Sequence, residues 1–123
     1  MKTILVVDDF SSIQKFLCTT LEKKGYKTVG ASDGNEAYSL LSENRIDLVL
    51  SDYNMPKCTG MELLNKIKSN DETARIPVIF LTTETNPQKM QAAKQAGLYA
   101  WIRKPYHADA FFAQIENALA QAQ

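Results

Sequence analysis

The sequence is poor in the residues that bind soft metal ions or exchange protons near neutral pH. Among 123 residues there is one histidine, His107, and two cysteines, Cys18 and Cys58, which lie too far apart to match a metal-binding motif. We therefore expect no zinc site, and we predict that His107 is a neutral residue near the start of the last helix. The cysteines are predicted to be free thiols, as is usual in a reducing compartment.

A net charge and long apolar runs are also absent. Lys and Arg together number 14, as do Asp and Glu, so the field that attracts proteins to nucleic acid or anionic lipid is missing and direct nucleic-acid binding is not expected. The first aliphatic run, residues 4–7, is too short for a secretory signal, and no segment approaches the ~18 apolar residues that span a bilayer. These absences predict a cytoplasmic protein without membrane insertion.

Short apolar runs alternate with segments of helical period. The predicted strands are residues 4–7, 26–31, 47–51, 78–81 and 100–103. The first helix is expected to be capped by Ser11 or Ser12 and to turn one face inward, formed by Ile13, Phe16, Leu17, Thr20 and Leu21. Asn86 is predicted to cap the fourth helix, with Pro87 at its first position. This alternation predicts one α/β domain over residues 1–123, with helices on both faces of a parallel sheet.

Polar side chains follow the carboxyl ends of four predicted strands. Asp8 and Asp9 follow the first, Asp52 the third, Thr82 the fourth and Lys104 the fifth. Ligands of open α/β sheets bind beyond these strand ends, at the point where the strand order reverses. We therefore predict a site there.

Three carboxylates within about 5 Å would repel by roughly 3 kcal/mol per pair at an effective dielectric constant near 20. A divalent cation removes this repulsion, and all-oxygen donors indicate Mg²⁺, with Mn²⁺ as the alternative. Asp8 and Asp9 are predicted to hold the ion and Asp52 to act as the nucleophile toward a phosphoryl group. Lys104 and Thr82 have the charge and the hydroxyl that stabilise a transferring phosphoryl. The Lys104–Pro105 bond is a candidate for the cis form.

Six motifs occur together in order and at a characteristic spacing: residues 6–10, 51–56, 60–64, 81–84, 96–97 and 104–106. Together they resemble the receiver domains of bacterial two-component response regulators, and most of all the single-domain chemotaxis regulators. The resemblance implies a flavodoxin-like, doubly wound sheet of five parallel strands in the order 2-1-3-4-5, with five helices in a three-layer αβα arrangement.

The resemblance also implies roles for individual residues. Asp52 would accept a phosphoryl group from a histidine kinase in a Mg²⁺-dependent reaction. Asp8 or Asp9, Asp52 and the backbone carbonyl of Asn54 would coordinate the ion, while Thr82 and Lys104 would contact the phosphoryl oxygens.

The implied output is a conformational switch. Movement of Thr82 and Trp101 would change the surface formed by the fourth helix, the fifth strand and the fifth helix, which binds a downstream protein. Asn54 and Glu84 would tune how fast the aspartyl phosphate hydrolyses. The chain is expected to be a monomer or weak dimer, and to be no enzyme beyond its own phosphorylation and autodephosphorylation.

Three other interpretations remain open at this point. The chain could be a Mg²⁺-dependent phosphohydrolase that acts through an aspartyl phosphate, although such enzymes generally have an acid where this chain has Asn54. It could be a receiver domain cut from a larger DNA-binding regulator. It could also bind its partner constitutively, without phosphorylation.

Overall fold

The computed structural model describes residues 1–121, in which five strands alternate with five helices. The strands are β1 Thr3–Val7, β2 Lys27–Ala31, β3 Leu48–Ser51, β4 Val78–Thr82 and β5 Ala100–Arg103. The helices are α1 Ser11–Glu22, α2 Gly34–Glu43, α3 Gly60–Ser69, α4 Pro87–Gln95 and α5 Ala108–Gln121. The predicted alternation is confirmed, and residues 122–123 of the predicted domain lie outside the described part.

The strands are all parallel and are ordered β2-β1-β3-β4-β5. The predicted order is confirmed, and the direction of winding reverses between β1 and β3. Successive residues of a strand point to opposite faces of the sheet, so Leu5 and Val7 pack with α2 and α3, whereas Ile4 and Val6 pack with α1 and α5. The result is two apolar cores, one on each side of the sheet.

Local sequence explains where most helices begin. Asp33 accepts a hydrogen bond from the Glu36 N–H and caps α2. Thr59 and Glu62 form a reciprocal capping box at the start of α3. Asn86 caps α4 and Pro87 occupies its first turn, as the sequence predicts.

Helix α1 departs from two of the predictions. Neither Ser11 nor Ser12 caps it, because the helix already begins at Ser11, with Phe10 at the N-cap position and no side-chain cap. Phe16 was placed on the inner face but is 63% exposed. The buried face centres on Leu17 and Leu21 instead, and Phe16 lies to the solvent side of that stripe.

The same structure bears on other local features of the sequence. The Lys104–Pro105 bond is cis. Cys18 is partly buried, Cys58 is buried, and both are free. His107 precedes α5, and its carbonyl accepts the Phe111 N–H at 3.0 Å. None of the described helices is long and apolar enough to cross a membrane.

Candidate functional site

Three acidic side chains meet at the carboxyl edge of the sheet. Asp8 and Asp9 follow β1, and Asp52 follows the neighbouring strand β3, where its N–H donates to the Val7 carbonyl at 3.0 Å. Carboxylate oxygens of Asp8, Asp9 and Asp52 all lie within 4.8 Å of one another. Strand pairing therefore brings together acids that are more than 40 positions apart in the sequence.

Asp8 is the most deeply placed of these acids, with 2% of its surface exposed. Its Oδ1 accepts the Phe10 N–H at 2.9 Å, and its Oδ2 lies 3.9 Å from Lys104 Nζ. Burial raises the pKa of Asp8 above its ordinary value of 3.8; the Phe10 N–H and the Lys104 ammonium oppose that rise, and the carboxylates of Asp52 and Asp9 add to it. A bound cation would offset the cost of keeping this buried group ionised.

Asp9 provides the observation that best fits a cation. Its Oδ1 is buried and has no hydrogen-bond partner among residues 1–121. A buried carboxylate oxygen without a partner carries a desolvation cost, which coordination to a metal ion would remove. The three acids and their all-oxygen donor set suit a hard divalent ion such as Mg²⁺.

Asp52 is half-buried, and its carboxylate is oriented by the chain that follows it. Its Oδ1 accepts the Tyr53 N–H at 2.7 Å and the Asn54 N–H at 3.4 Å. Within the described residues both bonds end on Oδ1, so Oδ2 is available to a further ligand. Gly60 helps to hold this loop in place, because its N–H donates a hydrogen bond to the Tyr53 carbonyl at 2.9 Å. Sequence reasoning did not identify Gly60 as a support of the site.

Thr82 and Lys104 lie side by side at the ends of β4 and β5. The Lys104 N–H donates to the Thr82 carbonyl at 2.9 Å, and Thr82 is 1% exposed. The Thr82 hydroxyl accepts the Glu84 N–H at 3.3 Å. The structure therefore places the predicted hydroxyl and ammonium on the same edge of the sheet as the acids.

Trp101 belongs to an aromatic cluster that the sequence did not reveal. Its ring centroid lies 5.2 Å from that of Tyr53 and 5.6 Å from that of Phe80, and these two rings are themselves 5.6 Å apart. The indole Nε1 donates to the Glu84 carbonyl at 3.2 Å. Trp101 is thus packed between the residue that follows Asp52 and the segment that follows Thr82.

Glu84 connects this segment to α4. Its Oε1 accepts the Lys89 ammonium at 2.9 Å, and its Oε2 accepts the N–H groups of Thr85 and Asn86 at 3.1 and 3.2 Å. Lys89 Nζ also lies 5.6 Å from the centroid of the Tyr53 ring. In the structure, the Glu84 carboxylate is therefore held at the start of α4.

The chain is thus a doubly wound α/β domain with acids at the β1 and β3 ends of its sheet and a lysine at the β5 end. The sequence model described as "Response regulator receiver domain" matches residues 4–116. The chain therefore belongs to the receiver-domain family of two-component response regulators.

Individual relatives match this chain over nearly its full length. It is 32% identical over 115 residues to the chemotaxis protein CheY of Pseudomonas aeruginosa, which covers 93% of each chain. It is 32% identical over 121 residues to the polar-differentiation response regulator DivK of Brucella anthropi, which covers 98% of each. A solved receiver-domain structure from Clostridium thermocellum has a TM-score of 0.91 and 33% identity, and the match covers 98% of this chain and 96% of that one.

Proposed function

We propose that this chain is a phosphorylation-controlled switch in which Asp52 accepts a phosphoryl group from a histidine kinase. The observation that carries the proposal is the group of three carboxylates within 4.8 Å of one another, with Lys104 Nζ 3.9 Å from Asp8. Family membership favours this function over a phosphohydrolase.

The proposed ligands of Mg²⁺, or of Mn²⁺ in its place, are the carboxylates of Asp8, Asp9 and Asp52 and the backbone carbonyl of Asn54. The Asp9 Oδ1, which has no hydrogen-bond partner within residues 1–121, supports this set. When bound, the ion would offset carboxylate repulsion and polarise a phosphoryl oxygen. Asp8 lies deepest, which suits a ligand more than a nucleophile.

In the proposed transfer, an oxygen of Asp52 forms the new bond to phosphorus. The P–N bond of the donor phosphohistidine breaks, and the leaving imidazole keeps the electron pair and takes up a proton. Thr82 and Lys104 would donate to the phosphoryl oxygens, where charge is spread in the transition state. The side chains of this chain thus orient the reactants and stabilise charge.

The switch would begin at Thr82. If its hydroxyl turns toward the phosphoryl group, its bond with the Glu84 N–H is strained or lost, and the Glu84 carbonyl also holds the Trp101 indole. Movement of this segment would change the surface formed by α4, β5 and α5. To shift the ratio of the two conformations from 1:99 to 99:1, the phosphoryl group must stabilise one conformation over the other by about 5.5 kcal/mol. Asn54 and Glu84 would tune the hydrolysis rate.

The proposed output is binding of a downstream protein at the surface formed by α4, β5 and α5. An open cavity of about 390 Å³ between α4 and β5, lined in part by Met90, Leu98 and Trp101, supports this assignment. Likeness to CheY favours chemotaxis as the pathway, and the equal identity to DivK makes polar differentiation the second candidate. The domain is proposed to act as a monomer or weak dimer.

Trp101 is the one tryptophan in the sequence and therefore provides a specific test. Mg²⁺ with beryllofluoride, a phosphoryl mimic, should change its fluorescence, because the ring contacts Tyr53 next to Asp52. The Asp52→Asn variant should give no response and should take up no phosphoryl group from a phosphorylated histidine kinase, as measured by intact mass. An equal fluorescence response from Asp52→Asn would refute the proposal.

The same material separates the competing functions. Slow, stoichiometric labelling by acetyl phosphate supports the switch, whereas many turnovers per second would identify a phosphohydrolase. Partner capture that depends on beryllofluoride supports phosphorylation control, and capture unchanged in Asp52→Asn would identify a constitutive binding domain.

A further inference from the structure

Gln14 is a polar side chain of α1 that the sequence analysis did not select. Its amide extends across the carboxyl ends of β1 and β2, where Nε2 donates to the Asp8 carbonyl at 3.1 Å and to the Ala31 carbonyl at 2.8 Å. The Ala31 carbonyl also accepts the Asp8 N–H at 3.0 Å. Gln14 and Ala31 thus hold the backbone on both sides of the Asp8 side chain.

These bonds bear directly on Asp9. The Asp8 carbonyl and the Asp9 N–H belong to one planar peptide unit, so a hydrogen bond to that carbonyl restricts the direction in which Asp9 leaves the strand. The Asp9 Oδ1 has no hydrogen-bond partner of its own in the described residues. The direction in which the Asp9 Oδ1 points therefore depends on how the backbone of Asp9 is held.

Gly30 in β2 provides the space that the Gln14 side chain occupies. A Cβ atom at position 30 would lie 2.9 Å from Gln14 Cδ and closer still to Gln14 Oε1. Gly30 has no positive φ that would strain another residue. Alanine at this position would therefore act mainly by pushing the Gln14 amide away from the two carbonyls.

We infer that Gln14 is a positioning residue for the divalent-cation site, which it holds in shape through the backbone of Asp8 and Asp9 without touching the ion. The inference rests on the proposed function, because it assumes that these acids bind Mg²⁺. Groups that orient metal ligands from behind typically contribute about 10- to 100-fold in metal affinity.

The test compares Gln14→Met, which keeps the length of the side chain and removes the donor, with Gly30→Ala, which displaces it. Free Mn²⁺ is counted by electron paramagnetic resonance, and Mg²⁺ affinity is obtained from its competition with Mn²⁺. Each variant should bind about tenfold more weakly than wild type. The same substitution at Gln114, an exposed residue of α5, is the matched control and should leave the affinity unchanged.

The double variant gives the sharper readout. Both changes remove the same contact. The double variant, Gln14→Met with Gly30→Ala, should therefore bind Mn²⁺ and Mg²⁺ no more weakly than the single variant that has the lower affinity, whereas independent effects would multiply. Urea unfolding in chelator reports whether each variant is folded.

The role of Gln14 would be overturned if both single variants bound the ion as tightly as wild type, or if their effects multiplied in the double variant. In either case ion binding by the wild-type chain would leave the proposed function standing. Absence of Mg²⁺ and Mn²⁺ binding by the wild-type chain would overturn the proposed function, and the role of Gln14 with it.

Discussion

Gly60 shows how a residue without a side chain supports the proposed chemistry. It is the first residue of α3, and its backbone passes directly under the loop that carries Asp52. A Cβ atom at this position would lie 2.6 Å from the Asp52 carbonyl oxygen and 2.9 Å from Tyr53 Cα. Both neighbours are backbone atoms, so the loop itself would have to move.

We therefore expect Gly60→Ala to lower the free energy of unfolding by about 1–3 kcal/mol, the usual cost of overpacking. It should also slow labelling of Asp52 by acetyl phosphate by roughly tenfold, because small misplacements of a reacting group are costly. Urea unfolding and intact mass measure the two effects.

Gly25 offers a control with the opposite property. No atom of the described part of the chain lies within 4 Å of an added Cβ, but the φ of Gly25 is +94°. Gly25→Ala should cost about 1 kcal/mol through backbone strain and leave the labelling rate unchanged. A normal labelling rate in folded Gly60→Ala would contradict the role given to Gly60.

At the scale of elements, the start of α4 is connected to the site through Glu84. The Lys89 ammonium first, and then the Asn86 and Thr85 N–H groups, hold the pKa of Glu84 below its ordinary value of 4.5. A carboxyl group with a lowered folded-state pKa contributes stability above its unfolded-state pKa and loses it as the pH falls through the folded-state value.

We therefore expect wild type to be more stable than Glu84→Gln at neutral pH. The difference should shrink as the pH falls below 4.5 and vanish once Glu84 is protonated in both states. Urea unfolding of both proteins, from neutral into acid solution, measures it.

The matched control is Glu43→Gln, the same change at the exposed end of α2, measured over the same pH range. A constant difference between wild type and Glu84→Gln across the acid range would contradict the ion-pair interpretation.

At the scale of the whole molecule, acids and bases balance in number, but three acids are concentrated at one edge of the sheet. Without a cation, the mutual repulsion of these carboxylates opposes folding. When a cation is bound, its attraction to the same carboxylates stabilises the folded state. A ligand that binds only the folded state stabilises it by an amount that grows with concentration over the dissociation constant.

The effect of Asp9→Asn on the free energy of unfolding should therefore reverse in sign when Mg²⁺ is added. In chelator the variant should be more stable than wild type by at least about 1 kcal/mol, because two carboxylate pairs are removed, each repelling by roughly 3 kcal/mol at an effective dielectric constant near 20, and salt screens only part of that repulsion. In saturating Mg²⁺ wild type should be the more stable, because it binds the ion more tightly. Thermal unfolding with and without Mg²⁺ provides the comparison.

Asp71→Asn, a change at an exposed acid outside the cluster, should give a stability difference that does not depend on Mg²⁺. An Asp9→Asn variant that gains as much from Mg²⁺ as wild type does would remove Asp9 from the proposed ligands.

Much of the fold follows from local sequence. Period and turn chemistry are properties of neighbouring residues, so β5 was predicted with its observed bounds, Ala100–Arg103, and Asn86–Pro87 was correctly placed at the start of α4. The acids were also found from sequence, because Asp8, Asp9 and Asp52 each follow an apolar run. The strand order came from the resemblance to a family.

Tertiary structure decided what depends on contacts between distant segments. The contact of Gln14 with the Ala31 carbonyl spans 17 positions, and the tilted packing of Trp101 against Tyr53 joins β5 to the loop after β3. Neither has a periodic signal in the sequence. Phe16 was misplaced for the same reason: helical period identifies a stripe, but only packing against the sheet selects which part of it is buried. Sequence alone thus determined the elements and the acids, whereas packing determined how those acids are held.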